Sequence, residues 1–184
     1  LGTLLVLERL GFVSLNLNEV SQSIESLSQN KDEIIKKAQE AAVKIQNKIP
    51  VIFTSGFLEG NAHIVRNQIN ETAKSFADFS VIPELNHHLM EGLKNPTDRK
   101  LVSLFIESDL FSDVIKKRID LTKDVVTKNN IEVLEYKSNS SNKLGQVLDV
   151  LSFGGFLSFF LAILYDQDPS VIPWVDYFKE QLKK

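Results

Sequence analysis

The chain has 184 residues, a formal net charge of -3 and no cysteine. That length suits one domain, and the lack of cysteine excludes a disulfide framework, a thiolate nucleophile and a cysteine-based zinc site. With 43% apolar and 24% charged residues, the composition is that of a folded domain, not a disordered or fibrous chain, and its mildly acidic, mixed charge predicts no nucleic-acid partner.

Residues 1–10 read as an apolar helix stopped by Gly11. A second helix is expected from Asn18, with Leu27 closing its apolar spacing. A third is expected over Lys31–Gln46, where Ile34, Ile35, Ala38, Ala42 and Ile45 follow the 3.6-residue period. Pro50 ends that pattern. The run from Pro50 to Gly56 predicts a buried strand and its turn. Gly60–Ser75 reads as a helix with Ala62, Val65, Ile69, Ala73 and Phe76 on one stripe. Phe79–Ile82 predicts the second strand, closed by Pro83, and a polar turn with His87 and His88 follows. Leu101–Ile106 is the third strand, Leu110–Thr127 a helix and Ile131–Tyr136 the fourth strand. Beyond the polar loop at Ser138–Asn142, a long apolar helix is expected over Leu144–Tyr165, and a final amphipathic helix follows Asp168 and Pro169.

Strands alternating with long helices predict right-handed crossovers and a parallel sheet covered on both faces. The expected fold is therefore α/β: a doubly wound three-layer αβα sandwich with four or five parallel strands. Residues 147–164 form the most membrane-like run, but Asp149, Ser152, Gly154, Gly155 and Ser158 interrupt it. A buried helix is expected there and no membrane contact, since a span needs about 20 mostly apolar residues. No signal peptide is read, and a cytoplasmic location is expected.

In a doubly wound sheet, ligands sit beyond the carboxyl ends of the strands. Thr54, Ser55 and Gly56 lie at one such end, where hydroxyls and amide N–H groups can meet an anion. Glu107 and Ser108 lie at another. Glu71 falls about 180° from the apolar stripe of its helix, counting 100° per residue. Spacing leaves it open between a solvated carboxylate and a general base. His87 and His88 are adjacent and point about 100° apart in a helix, which disfavours a shared metal; no metal or cofactor is expected. Lys179, in the closing helix, reads as a cation complementing the helix dipole.

Taken together, these segments resemble the C-terminal half of the bifunctional phosphoglucose/phosphomannose isomerases, enzymes built of two sugar isomerase (SIS) domains. Arg66, Gln68, Asn70, Glu71, Ala73 and Lys74 fit that family's R-x-K-x-Q-x-N-E-N-A-K run. Pro83, Glu84, Asn86 and His87 fit its P-E-x-N-H segment, and Asp168, Pro169 and Ser170 resemble its closing D-P-T. The resemblance implies residues 18–184 as the second SIS domain and residues 1–17 as the end of a helix linking it to a first. The serine-rich phosphate loop of that first domain is not in this sequence, so the chain reads as the second half of a longer enzyme.

The resemblance implies aldose–ketose isomerisation of fructose 6-phosphate with glucose or mannose 6-phosphate, through a cis-enediol, in a homodimer with a shared active site. By motif match, Glu71 is the base, His87 assists ring opening from the neighbouring subunit, and Lys179 stands near the ring oxygen. Ser55, Gly56 and Ser170 are the expected substrate contacts, Ser170 replacing the usual threonine. Departures also stand: His88 and Leu89 replace an Asn-Glu pair, and Gly155, Phe156 and Phe160 replace Asp, Trp and Tyr. They motivate a second expectation, a non-catalytic phosphosugar-binding module.

Overall fold

The computed structural model describes residues 2–184. A short helix, α1 (Gly2–Arg9), precedes a 29-residue helix, α2 (Leu17–Ile45), capped by Asn16, whose side chain accepts from the N–H groups of Asn18 and Glu19. The two helices expected over this stretch are therefore one. Residues 28–31 are polar but contain no Gly or Pro to interrupt the backbone ladder. Asn30, at the expected break, donates to Ser26 Oγ (3.3 Å) and Asp149 Oδ2 (3.4 Å).

Four strands follow: β1 (Ile49–Ser55), β2 (Asp78–Ile82), β3 (Leu101–Glu107) and β4 (Glu132–Lys137). All pair in parallel, in the order β2-β1-β3-β4. The sheet is the expected parallel one, with helices on both faces. The strand order reverses at β1, because the chain leaves it toward β2 and returns past it to β3. Right-handed crossovers then place α3 (Glu59–Thr72) on one face and the short α4 (Leu89–Gly92) and α5 (Asp113–Lys128) on the other. The side chains agree. On β4, Tyr136 stacks on Phe153 of α6 (Lys143–Leu164) at 3.8 Å between ring centroids, while its neighbour Glu135 turns to Lys123 of α5. That alternation is the strand period of two.

The α3 helix ends at Thr72, before the expected Ser75. Lys74 takes a φ of 52°, and the Ser75 N–H reaches back to the Ile69 carbonyl. Phe76 is therefore no longer on the buried stripe and stands 69% exposed. In α5 the start moves to Asp113, with Ser112 as N-cap.

The expected burial of α6 holds for its inward face: Val150, Phe153, Leu157, Leu161 and Ala162 are all at most 1% exposed. It packs between α2 and α3 over the sheet, although by length and composition alone it could cross a membrane. Asp149, which only interrupts the apolar run in the sequence, is 1% exposed. Its Oδ2 accepts hydroxyl hydrogen bonds from Ser138 (2.6 Å) and Ser140 (2.8 Å), tying α6 to the loop after β4. Burial, and then the Asp149 charge, push the Tyr136 phenol well above its ordinary range. The closing helix α7 (Pro173–Gln181) buries no residue.

Candidate active site

The expected site residues fall at two opposite edges of the sheet. The carboxyl edge holds Ser55, Gly56 and His87. Ser55 ends β1 level with Ile82 of β2, and its hydroxyl donates to the Ile82 carbonyl at 2.7 Å. At 3% exposure it offers the turn its backbone and not its hydroxyl. Thr54 is held likewise, donating to Ile106 O at 2.8 Å. Gly56 has a φ of 54° and is exposed; that left-handed conformation explains the glycine. Phe57 and Phe111 pack edge-to-face at 5.6 Å beside this turn, filling part of the crevice where the strand order reverses.

His87 ends the 3-10 turn of residues 84–87 that follows β2. Leu85 anchors the turn in the core at 1% exposure. The His87 side chain is exposed and borders a cleft of about 470 Å³ lined also by Met90, Glu91, Lys94, Val125 and Asn129. His88 lines the same cleft, with its Nε2 3.9 Å from Glu84 Oε1. His63 lies elsewhere, stacked on Phe79 at 5.3 Å. No group of three or more His, Cys, Asp or Glu side chains clusters as a metal site among the described residues.

Glu71 stands at the other edge. It sits in the last turn of α3, which leaves the carboxyl edge after β1 and runs antiparallel to the strands for 14 residues, about 21 Å. Its carboxylate is exposed. Ser170 belongs to the same edge. The Lys74 ammonium, just past α3, donates to the Asp168 carbonyl at 2.7 Å and so ties the end of α3 to the segment before α7. The Ser170 amide and hydroxyl both donate to Asp168 Oδ1, at 2.8 and 2.6 Å, and these bonds hold the Asp168 carboxyl below its usual range. Lys179 is exposed on α7. The fold thus brings Glu71 and Ser170 to one edge, and leaves His87, Ser55 and Gly56 a helix length away.

The residues that hold these groups were less legible. Lys74 and Asn86 stand in the motifs, but their partners, Asp168 and Thr122, are distant in sequence. Glu107, noted only as the end of β3, forms an ion-pair triad with Lys123 (2.5 Å), which also reaches Glu135 (3.2 Å). Only the pairing of β3 with β4 brings those carboxylates together.

Comparison with known proteins bears on the family and the fold. The family described as the bacterial phospho-glucose isomerase C-terminal SIS domain matches residues 34–182. Two proteins named bifunctional phosphoglucose/phosphomannose isomerase are similar. The one from Aquifex aeolicus (strain VF5) is 30% identical, over 95% of this chain and 55% of its own length. The one from Caldicellulosiruptor bescii is 28% identical, over 97% and 56%. The chain therefore spans about half the length of the curated relatives it matches. Among solved structures, a hypothetical protein from Thermus thermophilus superposes with a TM-score of 0.74 at 10% identity, over 95% of this chain and 51% of that one. A glucose-6-phosphate isomerase like protein from the same organism gives 0.60 at 19%, over 72% and 44%. At these identities the structures speak for the fold. With its parallel sheet, its ordered motifs and a family match from residue 34 to residue 182, the chain belongs to the bacterial phosphoglucose isomerase C-terminal SIS domain family.

Proposed function

We propose that this chain is the C-terminal half of a dimeric phosphosugar isomerase that interconverts fructose 6-phosphate with glucose 6-phosphate and, through Ser170, mannose 6-phosphate. The reading rests on family membership over most of the chain, with Glu71 and His87 inside the matched region. Glu71 takes a proton from C1 of the ketose, a carbon alpha to the C2 carbonyl. The resulting cis-enediolate is redox-neutral, and the proton returns at C2 while one moves from O1 to O2. Lys179 stabilises the developing oxyanion charge. His87 donates its proton to the ring oxygen as the cyclic sugar opens. The separation of Glu71 from His87 by the length of α3 supports a site shared between two protomers, each supplying one of them. Phosphorylated sugars as substrates favour a cytoplasmic enzyme.

The test is a coupled assay on the natural polypeptide that carries these residues, quantifying glucose 6-phosphate and mannose 6-phosphate separately. Glu71→Gln is expected to lower both rates by at least about 10²-fold while the fold is kept, since the side chain is exposed. Undiminished activity in Glu71→Gln would overturn the reading. Sugar-phosphate binding without turnover in the unmodified protein would favour the non-catalytic module.

A further inference from the structure

We propose that Asn86, clamped by Thr122 and Arg118 of α5, is a positioning residue that fixes where His87 meets its substrate. The inference deepens the reading above and rests on the ring-opening role given there to His87. It starts from the two anchors of the turn at residues 84–87. Leu85 is set in the core at 1% exposure. Asn86 is held on α5: its Nδ2 donates to Thr122 Oγ1 at 2.9 Å, and its Oδ1 accepts from Arg118 Nη1 at 3.4 Å. The Asn86 amide N–H donates to the Pro83 carbonyl at 3.0 Å, closing the turn.

The polarity of the clamp is set from within α5. Thr122 is 1% exposed, and its hydroxyl hydrogen is already given to the Arg118 carbonyl at 2.7 Å. Only its lone pairs face Asn86, so the amide must turn its NH2 to Thr122 and its oxygen to the Arg118 guanidinium. An aspartate at 86 would oppose its negative oxygen to those lone pairs. Successive side chains on a 3-10 turn diverge by about 120°. With Leu85 fixed inward and Asn86 fixed on α5, His87 is turned outward over its cleft. The turn cannot rotate about either anchor without breaking the other. An imidazole that must reach a substrate held mainly by another body needs such fixing, since a shift of about 1 Å can cost roughly 10²-fold in rate.

The experiment uses the same natural polypeptide with Thr122→Val, Thr122→Ser and His87→Gln, and two substrates: fructose 6-phosphate and its 5-deoxy analogue, which lacks the hydroxyl that closes the ring. Thr122→Val is expected to lose roughly 10-fold to 100-fold in kcat on fructose 6-phosphate. Its rate on the open-chain analogue should match the unmodified protein, and Thr122→Ser should restore the first rate. A loss shared equally by both substrates would mark Thr122 as merely structural and overturn the proposal. So would a Thr122→Val enzyme of full activity where His87→Gln is impaired. Full activity of His87→Gln on fructose 6-phosphate would instead remove the role of His87 on which the proposal stands.

Discussion

A methyl group added at Gly154 would run into the Gln68 side chain and lie 2.6 Å from Val65 Cγ2 and 3.3 Å from its Cβ. Gln68 can swing away. Val65 is 0% exposed and β-branched, with one strongly preferred rotamer in a helix, so α3 and α6 would have to part. Gly154→Ala is therefore expected to cost about 1–3 kcal/mol, lowering Tm by roughly 2–4 °C for each kcal/mol. Gly155 is the internal control. Its added Cβ would meet nothing nearer than Gln68 Nε2 at 3.7 Å, so Gly155→Ala should be neutral or gain up to about 1 kcal/mol of helix propensity. Thermal melts of the two variants check this, and equal melting temperatures would refute the close-seam argument. In the sequence both glycines interrupt the same apolar run. What separates them is the helix that lies over one of them, and no local pattern carries that.

Elements were legible where one physical rule dominated. Each expected strand lies within about three residues of an observed one, because short apolar runs bounded by turn residues have few alternatives in a parallel sheet. The expected break in α2 is absent because Asn30, in the middle of the polar stretch, finds partners in α6 and in the helix itself. Pairing between elements also sets the charge balance at the carboxyl end of β3. Burial raises the Glu107 carboxyl above its usual range, against the lowering pull of Lys123. Burial draws Lys123 down, but its bonds to Glu107 and Glu135 more than reverse this and hold it above its usual range. Lys123→Met leaves both carboxylates without that cation. A loss of about 1–2 kcal/mol at neutral pH is expected, below the cost for a fully buried pair because both groups keep some solvent. A raised lysine stabilises the fold at all pH values below its ordinary range, so the loss persists through neutrality. It should shrink on acidification, and sooner than for an ordinary carboxylate, because burial makes Glu107 take up its proton above the usual carboxylate range. Urea unfolding of both proteins at pH 7 and near pH 4 checks the sign. A penalty that grew in acid would contradict the assignment.

At the scale of the whole molecule, the site was legible as a set of residues and not as a place. Motifs pick out Glu71 and His87, but only strand order and helix direction show that they stand at opposite edges of the sheet. If one protomer housed a complete site, two variants lacking different members of it could never complement each other. If the site is shared across a two-fold dimer, they can. Take Glu71→Gln and His87→Gln, each inactive alone, and co-express them. In a mixed dimer one site receives both altered residues, and the other receives Glu71 from one protomer and His87 from its partner, both intact. Random pairing makes half the dimers mixed, each with one working site in two, so about a quarter of the unmodified activity should return. Isolation of the mixed dimer through two different affinity tags should raise this to about a half. A purified mixed dimer with no activity would show that Glu71 and His87 act within the same protomer, and would require the chain to bend them together by a rearrangement far larger than any side-chain motion.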